Sequence, residues 1–237
     1  MAQNTSHAVM AQRTEAADSL DDFPTPPWAT RAFCEHILGG RNCLEGLTAW
    51  EPACGRGDMA QVLSEYFVDV RASDIFNYGY GSAQDFLKDP LEAASVDWVI
   101  TNPPFKSAEQ FFERGMIAAR KGVALLTRTV FIESVGRYDR IFNITPPTAV
   151  AQYVERVPMV KGRLDKKAST ATGYAWLVWE RDKSGPTVLR WVPPSRRRME
   201  KNSDYEPGFR AAKALRHNSE GFNLKTVDLN QRDLFSS

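Results

Sequence analysis

Short apolar stretches alternate with amphipathic ones through the first half of the chain. Four stretches have the length and composition of buried strands: LTAW (47–50), VDVRASD (68–74), VDWVIT (96–101) and GVALLTRTVF (122–131). Apolar residues at helical spacing predict one helix from about Asp58 and another that starts after Ser107. Because strands that alternate with helices form parallel βαβ units, we predict an α/β fold with a doubly wound, mostly parallel sheet.

A different pattern begins near residue 149. Three further strand-like stretches follow one another with little room for helices between them: AVAQYVERV (149–157), YAWLVWER (174–181) and TVLRWV (187–192). Strands joined by short connections pair in antiparallel fashion. We therefore expect an antiparallel edge, which brings the predicted sheet to seven strands.

Polar residues dominate both ends of the chain. Segments with few large apolar side chains cannot offset the entropy that ordering costs. We predict a disordered tail over residues 1–22, one domain over 23–192, and a polar, basic tail over 193–237. At the start of the domain, Thr25 is predicted to cap a helix whose first turn holds Pro26 and Pro27.

Composition narrows the class of protein. The chain has 237 residues, 43% of them hydrophobic, and a net charge of only +1, so no global basic field points to nucleic acid. Its three cysteines lack CxxC spacing, which argues against a disulfide framework and against a metal site and fits a reducing cytoplasm. No apolar run approaches the length of a membrane span, so we expect no membrane association.

A glycine turn follows the first predicted strand in EPACGRG (51–57). Gly55 and Gly57 let the backbone pass close to a ligand, and Glu51 is a carboxylate that could hold a cationic amine. The turn lacks the third glycine of the GxGxxG pattern, because residue 60 is Ala, and no GK[ST] follows it. Phosphate is therefore not the favoured ligand.

Acidic residues recur at the ends of the next predicted strands. In an open parallel sheet, ligands bind outside the carboxyl ends of the strands. Asp74 ends the second strand, where a carboxylate can accept hydrogen bonds from two ribose hydroxyls, although an exposed acid at a strand end is the plainer reading. Asp85 and Phe86 offer a carboxylate and a ring suited to adenine, although Phe86 also suits the core.

The predicted strand VDWVIT (96–101) runs directly into Asn102, Pro103, Pro104 and Phe105. Two consecutive prolines fix φ and remove two backbone donors, so the carbonyls beside them stay free to accept hydrogen bonds. The Asn102 amide oxygen adds another acceptor, and Phe105 adds a flat ring. Such a slot suits a planar group with an exocyclic NH₂, and a nucleobase is one.

In this order the motifs resemble those of S-adenosylmethionine-dependent amino-methyltransferases, in particular the gamma class of DNA adenine-N6 methyltransferases and its compact phage-type members. The resemblance covers about residues 20–192, and the motifs that carry it are FPTP (23–26), EPACGRG (51–57), Asp74, DFL (85–87) and NPPF (102–105). It implies S-adenosylmethionine as cofactor, transfer of its methyl group to the N6 amine of adenine, and Asn102, Pro103, Pro104 and Phe105 around the target. It also implies cofactor contacts from Thr25, Pro26, Glu51, Pro52, Ala53, Gly55, Gly57, Asp74, Ile75, Asp85, Phe86 and Asn102.

Three alternatives remain open. RNA methyltransferases that act on adenine N6 or guanine N2 also use NPPF or NPPY, and protein-glutamine methyltransferases use NPPY. The chain could also be a non-catalytic partner subunit with the same fold, although such a subunit would be free to lose Asn102 and the glycines. DNA is the favoured partner and RNA the alternative, while the oligomeric state is left open.

One segment between late strands is basic. MVKGRLDKKASTATG (159–173) carries Lys161, Arg163, Lys166 and Lys167, which we predict to contact nucleic-acid phosphates, with a solvated loop as the plain alternative. Phosphate contacts supply affinity without sequence information. Because the chain has little material for a separate recognition domain, we expect relaxed sequence specificity.

Overall fold

The computed structural model describes residues 21–206, and its centre is one eight-stranded sheet. In chain order the strands are β1 Thr48–Glu51, β2 Asp69–Asp74, β3 Ser82–Ala83, β4 Val96–Thr101, β5 Ala119–Arg128, β6 Ala149–Tyr153, β7 Tyr174–Glu180 and β8 Val188–Val192. Their order across the sheet is β3-β2-β1-β4-β5-β7-β6-β8. The strand order reverses between β1 and β4, and this switch point is where ligands bind in such sheets.

Strands β1 to β5 form the parallel part of the sheet. All six residues of β4 are buried, as expected for a strand covered on both faces. The antiparallel edge is confirmed, because β7 runs antiparallel to both β5 and β6. The outermost strand β8 pairs with β6 in parallel.

Helices cover both faces of the sheet. The α-helices are α1 Pro27–His36, α2 Arg41–Leu44, α3 Asp58–Leu63, α4 Ala108–Ala118, α5 Val135–Arg137 and α6 Arg196–Met199. Between β5 and β6 lie a 3₁₀ turn, Thr129–Ile132, and a π-helical turn, Tyr138–Phe142, and a second 3₁₀ turn spans Asn202–Tyr205. Helices α1 and α3 pack on one face around Phe33 and Trp176, whose rings stack at 4.0 Å, and α4 packs on the other around Trp179.

Two details differ from the sequence prediction. The sheet has eight strands and not seven, because the two-residue β3 is too short to leave a hydrophobic pattern. Residues 193–206, assigned above to the polar tail, pack against α1: the buried Arg31 makes ion pairs with Asp204 at 2.8 Å and with Glu65 at 2.7 Å. The predictions for residues 1–20 and 207–237 lie outside the described residues.

Candidate active site

A cavity of about 100 Å³ lies at the carboxyl ends of β1, β2 and β4. The motifs EPACGRG, Asp74 and NPPF meet there, because the carboxyl ends of parallel strands share one edge of the sheet. We call it the cofactor cavity. Its lining residues are Asp21, Asp22, Phe23, Pro24, Thr25, Glu51, Ala53, Cys54, Gly55, Arg56, Asp58, Met59, Asp74, Ile75, Tyr78, Asn102 and Pro104.

The cofactor cavity is strongly acidic, with five carboxylates and one arginine in its lining. Glu51 is buried at the end of β1, and its Oε2 atom has no hydrogen-bond partner. Burial raises the pKa of Glu51 well above its ordinary range, and the nearby Asp58 and Asp74 carboxylates raise it further, while the backbone N–H of Ala60 opposes the shift. A cationic ligand would relieve this cost of burial.

Asp74 connects two motifs at the end of β2. Its carboxylate accepts one hydrogen bond from the backbone N–H of Gly55 at 2.9 Å and another from that of Phe76 at 3.0 Å. Gly55 has φ +52, in the left-handed region that favours glycine. Burial raises the pKa of Asp74, and these two backbone donors partly offset the rise. A carboxylate oriented in this way keeps lone pairs for a ligand.

Thr25 faces the cofactor cavity and does not cap α1. The residue that precedes the helix is Pro26, and no side chain caps the helix start, so the predicted cap is wrong. The Oγ1 atom of Thr25 is buried without a partner. Buried polar atoms rarely stay unsatisfied in a native protein, and one that faces a cavity points to a ligand.

Asp21 and Asp22 lie at the mouth of the cofactor cavity, although the sequence placed them in the tail. The Asp21 carboxylate accepts a hydrogen bond from the backbone N–H of Phe105 at 2.8 Å, and the Asp22 carboxylate pairs with Arg56 at 2.6 Å. The Asp22 carbonyl also accepts the backbone N–H of Gly162. No local pattern distinguishes these two acids from a solvated tail.

Five predicted cofactor residues do not line the cavity: Pro26, Pro52, Gly57, Asp85 and Phe86. Phe86 lies in the core, with its ring 4.9 Å from that of Trp50 and 5.1 Å from that of Phe111. Asp85 accepts the backbone N–H of Leu87 at 2.9 Å in a local turn.

Gly57 was predicted to let the backbone pass close to a ligand, but the structure gives another reason for a glycine at this position. A Cβ atom at Gly57 would lie 2.5 Å from the Tyr80 ring, so this glycine serves packing. The apolar surface of the cofactor cavity beyond Asp74 comes instead from Ile75, which was predicted, and from Tyr78, which was missed. The guanidinium of Arg56 lies 5.2 Å from the centre of the Tyr78 ring.

The Asn102 amide has a defined orientation. Its Nδ2 atom donates to the carbonyl of Phe23 at 2.9 Å and lies 3.7 Å from the Sδ atom of Met159. Because a carbonyl can only accept, the nitrogen must face Phe23 and the oxygen must face away from it. That Oδ1 atom is buried without a partner. It is an acceptor that nothing in the described part of the chain uses.

A second cavity of about 160 Å³ lies on the other side of the NPPF segment. Asn102 and Pro104 line the cofactor cavity, whereas Pro103 and Phe105 line this one, so the four residues form the wall between the two. We call it the apolar cavity. The rest of its lining is Ala108, Leu126, Thr127, Arg128, Val130, Phe131 and Arg137.

Phe105 does not offer an open ring face, in contrast to the expectation. The Arg128 guanidinium lies 4.0 Å from its ring centre, and the Phe23 ring packs against it at 5.7 Å. A planar ligand could stack on Phe105 after Arg128 moves, and Arg128 is exposed at the end of β5.

The basic insert, residues 159–173, begins beside this wall. Met159 contacts the Asn102 amide, and Gly162 bonds to Asp22. The Lys166 Nζ atom donates to the Asn202 side chain at 2.8 Å, and Arg163 pairs with Asp165 at 3.4 Å. The insert therefore begins beside the cofactor cavity. Its contacts with phosphates, from Lys161, Arg163, Lys166 and Lys167, stay a prediction.

Residues 21–206 contain neither a candidate metal site nor a candidate membrane span. No group of three or more His, Cys, Asp or Glu side chains in that range could hold a metal ion. No helix within the same range is long and apolar enough to cross a membrane.

Comparison with known proteins identifies the fold. No protein-family model and no curated protein matches the sequence. Among solved structures, the type I restriction-modification methyltransferase subunit from Streptococcus thermophilus is similar with a TM-score of 0.55 at 12% identity, over 84% of this chain and 53% of that one. A protein from Vibrio vulnificus, assigned as a modification subunit of a type I restriction enzyme, has a TM-score of 0.51 at 15% identity, over 87% and 54%.

A third similar structure is closer in length. It comes from Listeria monocytogenes, is assigned as a class I S-adenosylmethionine-dependent methyltransferase, and has a TM-score of 0.50 at 15% identity over 85% of this chain and 72% of that one. The chain spans only about half the length of the two restriction-modification subunits. The described chain thus has the class I methyltransferase fold.

Proposed function

We propose that this protein transfers a methyl group from S-adenosylmethionine to the exocyclic N6 amine of adenine in DNA. The observation that carries the proposal is the Asn102 amide, whose nitrogen is bound to Phe23 and whose oxygen is buried without a partner in the wall between two cavities. An acceptor held in this way can bind an amine that enters from the apolar cavity.

The cofactor cavity suits the charges of the proposed cofactor. S-adenosylmethionine, when bound, supplies an electrophilic methyl group on a cationic sulfonium. Three polar groups of the cavity lack partners or carry an unfavourable charge: Thr25 Oγ1, Glu51 Oε2 and the Asp74 carboxylate. In this proposal Thr25 binds the carboxylate of the ligand, Glu51 lies near its methionyl ammonium, and Asp74 accepts its ribose hydroxyls.

In this proposal, hydrogen-bond acceptors around the target amine assist the methyl transfer. The lone pair of an aromatic amine is delocalised, and methylation leaves positive charge on the nitrogen before one of its protons departs to water. Asn102 Oδ1 and the carbonyl of Pro103 accept hydrogen bonds from the NH₂ group and stabilise that charge. By analogy with a single oxyanion-hole donor, such an interaction contributes about 100- to 1000-fold in rate. A strong general base is not required.

Tritiated methyl transfer to DNA, RNA and protein in parallel, followed by nucleoside and amino-acid analysis, tests the proposal. We expect N6-methyldeoxyadenosine from DNA with the purified wild-type protein and none with Asn102→Ala purified in the same way. Label in RNA adenine or in guanine N2 would reassign the substrate within the same chemistry. Absence of label from all three substrates, although the cofactor binds, would favour a partner subunit without activity.

Relaxed sequence specificity is part of the proposal. The basic insert is short and cationic, and phosphate contacts position a duplex without reading its bases. We expect N6-methyladenine in very short or degenerate contexts on a plasmid treated with the enzyme. Modification confined to one motif of four or more defined bases would contradict this expectation.

A further inference from the structure

The segment between β5 and β6, residues 129–144, carries two sets of apolar side chains. Phe131 and Ile141 face inward and are buried in the core under α4. A second set faces solvent, with exposed fractions of 57% for Val130, 48% for Ile132, 81% for Val135 and 56% for Tyr138. We call these four residues the apolar rim. Single exposed apolar residues are ordinary, but four within nine positions of one short segment form a patch.

Hydrogen bonds within the segment and ion pairs to α4 fix the backbone that carries the apolar rim. Ser134 Oγ accepts the backbone N–H of Arg137, which caps α5. The Arg137 side chain pairs with Glu109 of α4 at 3.2 Å and donates to the carbonyl of Phe131 at 3.1 Å. Arg140 pairs with the same glutamate at 2.8 Å. The rim side chains are therefore exposed on a segment that is bound to α4.

The apolar rim borders the apolar cavity. Val130 and Arg137 line the cavity, and Ile132 and Val135 lie between them in the chain. Of the four rim residues, Val130 lines the cavity itself, so a group that occupies the cavity lies beside this end of the rim. Within 129–144 the acids Glu133 and Asp139 balance Arg137 and Arg140, so this surface has no net charge to attract phosphates. An uncharged, apolar surface that is continuous with the group in the cavity would suit the rim.

We propose that the apolar rim is a wedge that fills the gap left in a DNA duplex when the target nucleotide turns out of the base stack. The inference rests on the proposed function, because it takes the apolar cavity as the place of the target base. Unstacking a base costs a few kcal/mol, and apolar side chains inserted between base steps offset part of that cost. The faces of the neighbouring base pairs are apolar, flat and uncharged, which matches the rim.

A comparison of substrates separates the wedge from the catalytic site. The probe is an oligonucleotide with a single adenine in a context that the enzyme methylates, supplied as a single strand, as a duplex, and as a duplex with an abasic site opposite the adenine. For Val135→Ala we expect kcat/KM on the paired duplex to fall about tenfold, which corresponds to about 1.4 kcal/mol. The single strand has no duplex to leave, and an adenine opposite an abasic site has no base pair to break, so the loss should be absent on the single strand and smaller on the duplex with the abasic site.

Val188→Ala is the matched control, because Val188 is 53% exposed at the far edge strand β8. It should leave all three rates unchanged. An equal loss with Val135→Ala on all three substrates, or no loss on the paired duplex, would overturn the wedge. So would a change in the mass measured by light scattering with Val135→Ala, since the rim would then bind a second copy of the chain. Wild-type inactivity on the single strand and the duplexes alike would instead overturn the proposed function and this inference with it.

Discussion

The two cavities share one wall but differ in charge and polarity. The cofactor cavity has five carboxylates and one arginine in its lining, and several of its polar atoms are buried without partners. The apolar cavity is lined by proline, aromatic and aliphatic residues together with Thr127, Arg128 and Arg137, and it has no acidic residue among its lining residues. The acidic side suits a cation, and in the proposed function the apolar side would take the target base.

The NPPF segment separates the acidic cavity from the apolar one and contributes residues to both. Alternate residues of one extended segment point to opposite sides, so Asn102 and Pro104 serve the acidic side while Pro103 and Phe105 serve the apolar side. In the proposed function, the two reactants would meet at this segment. Variants on the wall and on each side of it should therefore separate transfer, cofactor binding and DNA binding.

The largest effect is expected for the wall itself. Asn102→Ala removes the unpartnered acceptor and should lower kcat about 100- to 1000-fold, by analogy with the loss of one oxyanion-hole donor. Cofactor affinity, measured by calorimetric titration, should persist, because the proposed contact is with the amine of the target. If cofactor binding were lost as fully as activity, Asn102 would belong to the cofactor side alone.

Phe105→Ala should affect only the apolar side. Base stacking on an aromatic side chain contributes about 1–3 kcal/mol, so we expect a loss of about 10- to 100-fold in kcat/KM for DNA. Phe105→Tyr keeps the ring that contacts Arg128 and should recover most of the activity. A tyrosine variant as weak as the alanine variant would argue against stacking.

Asp74→Asn tests the acidic side. The change weakens an acceptor of two backbone N–H groups and of the proposed ribose hydroxyls, and it should raise the cofactor Kd about tenfold. The effect on kcat at saturating cofactor should be smaller, since this contact contributes mostly uniform binding. Asp69→Asn, at the exposed start of the same strand, is the control. Unchanged cofactor affinity in Asp74→Asn would remove Asp74 from the site.

Glu51→Gln should make the ligand-free protein more stable and weaken cofactor binding. Burial in the folded protein raises the pKa of Glu51. The folded, ligand-free protein is therefore most stable at low pH, where Glu51 is protonated, and it loses this stabilisation as pH rises through the raised pKa. Glutamine stays neutral, so the variant should unfold at higher temperature than wild type at neutral pH, by on the order of 1 kcal/mol, or about 2–4 °C.

The same variant should bind the cofactor more weakly. Wild-type affinity should decrease as pH falls and Glu51 takes up its proton, whereas the affinity of Glu51→Gln should lose this dependence. Glu45→Gln, on an exposed residue, controls for the loss of one negative charge. Equal pH dependence in wild type and in Glu51→Gln would exclude Glu51 as the cation partner.

The smallest effect at ordinary salt is expected for the basic insert. If Lys166 and Lys167 each neutralise one phosphate, replacing both by alanine should flatten the slope of log affinity against log salt by about 1.8. Lys166 must first leave Asn202, to which it donates at 2.8 Å. Fluorescence anisotropy between 50 and 200 mM salt measures the slope, and Lys121→Ala with Lys183→Ala is the control pair. A slope equal to that of wild type would leave the insert as a solvated loop.

The hydrophobic pattern and a few local motifs were enough to predict the class of fold. Buried strands are short apolar runs, so VDWVIT at 96–101 was predicted with the bounds that the structure has. The antiparallel edge was predicted because the last strands leave little room for helices between them, although the short connection from β7 to β8 joins two strands that do not pair. Residues directly at strand ends, such as Glu51, Asp74 and Asn102, could be assigned to the cofactor cavity for the same reason, because all parallel strands end at one edge.

The tertiary structure alone decided which residues face that edge and which lie behind it. Phe86 looked like an adenine contact but packs on Trp50, since the direction of a ring depends on neighbours from distant parts of the chain. Asp21 and Asp22 looked like a tail but bond to Phe105, Arg56 and Gly162. Sequence by itself determined the strand ends and the acceptor-rich turn, because these depend on local chemistry. The two cavities on either side of that turn depend on contacts between residues far apart in the chain, which no local pattern encodes.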